Sequence, residues 1–297
     1  MKRIPRNNVV YSFSPDNPPV ERAKPGDTVV FETLDALGGQ VRDEATPINR
    51  IDWNRVNPAT GPLYVEGAEP GDTLVVRIKR IAVSDTGVIL VVPGYGALPE
   101  AEFEPRVRLV RVSGGRVLFR GIGIEARPMI GTIGVAPPEG RVPTGDLGRH
   151  GGNMDAAVVG EGATLYLPVF VEGALLALGD LHAVQGDGEV CVAAAEVSGE
   201  VEVELGLVKR RSPPWPLVEF GDRVAVLVAG GTLDEAVEEA TRVAVAALMR
   251  SRGLDFADAY MLASLVVDLR INQVVDPKKG VRAEIPKRYV DVESFLR

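Results

Sequence analysis

Over the first two thirds of the chain, short apolar stretches rich in β-branched residues recur between turn residues, which reads as a succession of strands. Residues 28–33 and 73–78 are two of them, and each follows a Pro-Gly-Asp turn, Pro25-Gly26-Asp27 and Pro70-Gly71-Asp72. Proline presets one turn position and glycine supplies positive φ, so the recurrence reflects shared turn chemistry rather than an internal repeat. Residues 106–112 and 117–119 flank Ser113-Gly114-Gly115-Arg116 and predict a hairpin. Residues 164–170 form another strand. Residues 200–205 alternate strictly and place Glu200, Glu202 and Glu204 on one face, read as solvent-facing.

The pattern then changes. Thr232-Leu233-Asp234-Glu235 is a capping box, and Val237, Ala240, Val243, Ala244 and Ala247 follow at helical spacing up to a stop at Gly253. A second helix is expected over residues 255–269. Strands are expected at 223–228 and 281–286, and Ser212-Pro213-Pro214-Trp215-Pro216 is the clearest linker. The expected fold is mainly β: a jelly-roll-like β-sandwich over residues 1–211, carrying the chemistry, with a smaller α+β portion containing a helix pair over 212–297.

Composition narrows the function. A net charge of −8 argues against a nucleic-acid partner, and Lys209-Arg210-Arg211 reads as a solvated strand end. The single cysteine, Cys191, excludes an internal disulfide and is expected to be a small core residue. Met1-Lys2-Arg3-Ile4-Pro5-Arg6 is basic but no apolar run follows, and no stretch approaches the roughly 20 apolar residues of a membrane span. A cytoplasmic protein with no membrane partner is the expectation. Gly121-Ile122-Gly123 lacks the spacing of a dinucleotide loop, and there is no Gly-x-Ser-x-Gly elbow.

Only two histidines exist, His150 and His182. Asp180 and His182 lie two apart, so on a strand they share a face, where they can bind a metal or act as an acid/base pair. If Asp187-Gly188 is a two-residue hairpin loop, His182 lies opposite Ala193, Asp180 lies opposite Ala195, and Glu189 joins the same face. Asp187 then serves the turn or the chemistry. His150-Gly151-Gly152-Asn153-Met154-Asp155 forms a second polar cluster, and Asn57-Pro58-Ala59-Thr60-Gly61-Pro62 is a rigid turn that can present Asn57.

These stretches, with Gly131-Thr132-Ile133-Gly134, Leu167-Pro168-Val169-Phe170 and Gly179-Asp180-Leu181-His182-Ala183-Val184-Gln185-Gly186-Asp187-Gly188-Glu189, resemble the acetamidase/formamidase family over nearly the whole chain. The resemblance implies hydrolysis of a short aliphatic amide to carboxylate and ammonia by a homodimer or larger homo-oligomer. It also implies a divalent metal held by His182, Asp180, Asp155 and, less directly, Asp35. Zinc is favoured by the histidine and calcium is the alternative for an oxygen-rich site. His150 lies outside the matching pattern. In this reading Glu189 or Asp187 passes a proton to the departing ammonia, and Asn153 and Asn57 are the other catalytic candidates, with Asn153 orienting the amide. The rival readings are a metal-free Asp/His amidohydrolase and a non-catalytic sandwich that binds a small ligand.

Overall fold

The two Pro-Gly-Asp turns fold alike. Gly26 and Gly71 have φ of +91° and +90°. The aspartate carboxylates accept from the backbone N–H groups of Lys24 at 3.0 Å and Glu69 at 2.8 Å. From these turns run the strands Thr28–Thr33 and Thr73–Val91. The second is far longer than the pattern predicts because it pairs with three neighbours in turn: Thr164–Pro168, Glu196–Val208 and Arg106–Ser113. The expected hairpin closes through Gly114-Gly115, with Ser113 opposite Arg116.

The computed structural model describes residues 1–297. It is mainly β, with one large hydrogen-bonded sheet that curls on itself, a separate two-stranded pair, and two helices near the C-terminus. Along Glu196–Val208, Val201, Val203 and Leu205 point into a core of 36 buried residues. On the opposite face Glu200 and Glu204 meet Arg3 and Arg77. Leu176–His182 runs between Met129–Gly134 and Ala59–Val65, and its end crosses to Glu196–Val208. That crossing positions the site.

The C-terminal part has its own core of 20 buried residues, all between Trp215 and Leu296. Thr232 and Glu235 make the reciprocal capping box of the helix Leu233–Arg252, and Gly253 ends it in the left-handed conformation. The next helix spans Phe256–Val266 and ends three residues earlier than expected. Val267 is extended, and Asp268–Gln273 leaves as a strand paired antiparallel with Lys279–Pro286, so Leu269 is sheet rather than helix. Consecutive β-branched residues at Val266 and Val267 favour that switch. No helix is long and apolar enough to cross a membrane. Replacing Thr232 with Ala removes the cap and should cost about 1 kcal/mol in urea denaturation; an unchanged midpoint would contradict this role.

Candidate active site

His182 is the last residue of its strand, and its partner across the sheet is Glu196, not Ala193. The Asp187-Gly188 hairpin does not form. Asp187 instead makes two bonds to the Arg282 guanidinium, Oδ1 at 2.9 Å and Oδ2 at 2.7 Å. Gly188 bonds to the backbone of Asn272 and Val274. A short turn therefore loses to an ion pair, and the segment after His182 is drawn across to the C-terminal hairpin. Leu181 and Val197 face the main core, so their neighbours His182 and Glu196 face the other side of the sheet.

That second face is also buried. The segment that follows Asp35 covers it, held by Leu37, Val41 and Ile51 packing on Val88, Leu90 and Val107. Beneath it lies a cavity of about 200 Å³ lined by Asn57, Asn153, Asp180, His182, Glu189, Glu196 and Asp276. Asp180 and His182 converge as expected, though through a left-handed backbone at Asp180 (φ +57°) rather than plain alternation. Asn57, Asp155 and Glu189 also have positive φ, at 49°, 44° and 43°. Such conformations are costly for residues with side chains, and they gather where a chain is held for chemistry. Gly131 gives two carboxylates their room: a Cβ there would lie 2.6 Å from Asp155 Oδ1 and 2.7 Å from Asp180 Oδ2.

Hydrogen bonds orient the imidazole and the carboxylates around it. The Gln185 amide nitrogen donates to the carbonyls of Asp155 at 2.6 Å and Asn272 at 3.3 Å, so its oxygen faces His182 Nδ1 at 2.7 Å. Nδ1 therefore carries a proton, and Nε2 is the free position. Nε2 faces Glu196 Oε2 at 3.1 Å, Asp180 Oδ1 at 3.3 Å and Asp155 Oδ1 at 3.9 Å. The other oxygen of each carboxylate is engaged. Glu196 Oε1 accepts from the Ala194 N–H and Asp155 Oδ2 from Asn153 Nδ2, both at 2.7 Å. Asp180 Oδ2 lies 3.3 Å from the Thr132 hydroxyl. Asp155 Oδ1 and Glu196 Oε2 are buried without a hydrogen-bond partner. Ligand atoms of Asp155, Asp180 and His182 lie within 4.8 Å of one another, as do those of His182, Glu189 and Glu196.

The electrostatics follow from burial. Desolvation, then the neighbouring charge of Asp180, pushes Asp155 well above the usual carboxylate range. Desolvation, then Asp155, does the same to Glu189. Burial raises Glu196 to about 7 despite the opposing charge of His182. Asp276 also rises to about 7 through burial, although Asn153 donates to it. Burial alone would favour neutral His182, but Glu196 and Asp180 outweigh it and hold the imidazole well above its ordinary value.

Three expectations change. Asp35 is not in the cluster: its Oδ1 accepts from the N–H groups of Leu37 and Gly39 and shapes the covering segment. Asp187 is tied to Arg282 and lines a neighbouring apolar cavity, not this one. Cys191 is half-buried in a loop, not a core strand residue. Asn153 is present but committed, its oxygen 2.5 Å from the Thr132 hydroxyl and its nitrogen shared between Asp155 and Asp276. His150 is buried elsewhere against Phe13, and burial lowers it to about 4. Glu196 and Asp276 were not expected. Glu196 has the same parity as the solvent-facing glutamates, and Asp276 sits in an ordinary Asp-Pro-Lys-Lys turn, so neither carries a local signal.

The acetamidase/formamidase family model matches residues 5–143 and 141–291. Formamidase of Methylophilus methylotrophus is 30% identical over 259 residues, covering 66% of this chain and 63% of that protein. Acetamidase of Mycolicibacterium smegmatis is 28% identical over 264 residues, covering 66% and 65%. The matches thus span just under two thirds of these relatives' length. The crystal structure of acetamidase from Bacillus halodurans aligns with a TM-score of 0.95 at 40% identity, covering 97% of this chain and 98% of that one. A "predicted acetamidase/formamidase" from the thermophile Thermoanaerobacter tengcongensis gives 0.94 at 40% identity, covering 99% and 97%. With the family model matching nearly end to end, the chain belongs to the acetamidase/formamidase family.

Proposed function

We propose that the protein hydrolyses short aliphatic amides, of the formamide and acetamide type, to carboxylate and ammonia with the help of a divalent cation. One observation carries the reading: three buried carboxylates, each anchored through one oxygen, aim the other at the single free nitrogen of His182. One ring proton cannot satisfy three acceptors. Two of those oxygens have no hydrogen-bond partner, so the donor set fits a cation better than a metal-free acid/base pair.

His182 Nε2 with Asp155, Asp180 and Glu196 would hold the ion, and Gln185, Asn153, Thr132 and the Ala194 N–H would orient those ligands. The mixed nitrogen and oxygen set favours zinc over calcium. Such an ion lowers the pKa of water and polarises a carbonyl. Glu189, which burial and then the charge of Asp155 push well above the usual carboxylate range, is the group that would supply the proton that turns the departing nitrogen into ammonia as the C–N bond breaks. Asn57 is the amide placed to orient the substrate, since its nitrogen makes only a long 3.5 Å contact to Asp180. Asn153 positions carboxylates rather than substrate. A 200 Å³ cavity suits a small molecule.

The direct test is ammonia release from formamide and acetamide, with metal content measured in the same preparation. His182→Ala should lose both bound metal and turnover; turnover retained without metal sinks the reading. Gly131→Ala should lower activity by at least tenfold with an unchanged circular dichroism spectrum, because its Cβ displaces two ligands.

Stability of the chelated protein should fall as pH rises. Glu196 is raised from its unfolded value near 4.3 to about 7, so its contribution is complete below the lower value and lost through the upper one. His182 is also raised, so it too contributes at low pH and loses that contribution as pH climbs through its folded pKa. The two act in the same direction. Tm after chelation should therefore drop as pH rises from about 5 through about 7, and added zinc should flatten the profile. A chelated protein that grows more stable over that interval would contradict the assignment.

A further inference from the structure

A second cavity, of about 320 Å³, adjoins the one around His182. Ile89, Val110, Val117, Phe119, Ile124 and Val184 wall it, and eleven of its fifteen lining residues are hydrophobic. The polar side chains that reach it all come from one end, residues 185–189. Gln185 is spent on His182, Asp155 and Asn272, and Asp187 is spent on Arg282. That leaves Glu189, which also lines the cavity around His182.

Ala193 is the other side chain common to both spaces. The border between them is therefore one carboxyl and one methyl. Gly186, Ala194 and Ala195 keep the apolar side wide, and a Cβ on Gly186 would meet nothing within 4 Å. Close packing normally fills such space, because protein interiors hold few voids larger than a water molecule. Walls of this kind give water few hydrogen bonds and receive apolar groups instead. Roughly 300 Å³ is also where small-molecule sites begin.

We propose that this cavity receives the acyl chain of the substrate, so that the preferred amides carry an unbranched apolar chain of several carbons. The inference rests on the amidase reading above, in which the nitrogen leaves as ammonia and carries no chain. Only the acyl side can then extend into an apolar space. With the carbonyl beside His182 and the nitrogen beside Glu189, the remaining substituent passes over Ala193. Water adds at the carbonyl carbon, the C–N bond breaks, and the chain leaves as its carboxylate with ammonia. Phe119 and Ile124 line this cavity and not the other, so they set chain length and width without touching the reacting atoms.

Ammonia release should show kcat/KM at least tenfold higher for pentanamide than for acetamide, since each methylene taken out of water contributes about fourfold. Ile124 is 38% exposed, so Ile124→Trp narrows the cavity from its open side without repacking the core. It should cut the pentanamide-to-acetamide ratio at least tenfold. Phe119→Ala widens the cavity and should raise the phenylacetamide-to-acetamide ratio at least threefold, an independent reading if the tryptophan variant fails to fold. Calorimetry on the chelated protein follows binding without turnover, and pentanamide should bind at least tenfold tighter than acetamide. If no amide releases ammonia, the amidase reading falls, while the calorimetric difference still tests the cavity. Equal kcat/KM for pentanamide and acetamide overturns the proposal, as does equal binding of the two. So does a pentanamide advantage that survives Ile124→Trp, or an unchanged phenylacetamide ratio in Phe119→Ala.

Discussion

The structure is organised around the burial of several carboxyl groups beside one imidazole. Moving an ionised carboxylate out of water costs several kcal/mol even after relaxation, and a cluster of like charges adds to that. The protein answers by giving several of them a donor: Asn153 for Asp155 and Asp276, and the Ala194 backbone for Glu196. The unusual backbone at Asn57, Asp155, Asp180 and Glu189 follows from the same need, since regular strand geometry would point these side chains elsewhere. The covering segment after Asp35 then excludes water from a face that would otherwise be the outside of the sheet.

What could be read from the sequence was what neighbours decide. The Pro-Gly-Asp turns, the Gly114-Gly115 hairpin, the glutamate alternation from Glu200 to Glu204 and the Thr232 capping box each depend on a few consecutive residues, and each is found. The pairing of Asp180 with His182 was visible for the same reason. Glu196 and Asp276 reach the cavity by tertiary paths, one across a strand pair and one from a turn over ninety residues later in the chain than His182. Periodicity cannot see such paths. The Asp187-Gly188 turn is the instructive failure, because Asp-Gly is a strong hairpin signal. The partner that overrode it, Arg282, is remote in sequence and itself buried. Asp35 was singled out by the family resemblance alone, but its carboxylate is consumed by the backbone beside it.

The clamp between Arg282 and Asp187 also bears on modularity. Arg282 sits in a strand backed by the C-terminal core, and it holds the loop that carries Glu189. Asp276 comes from the hairpin that ends in that same strand. The cavity is thus assembled from both cores, with Glu189 supplied by one part of the chain and restrained by the other. A chain divided near residue 212 would split the cavity itself rather than free a dispensable appendage. Any rearrangement that keeps the cavity must carry the last strands along with the sandwich, as one inherited piece.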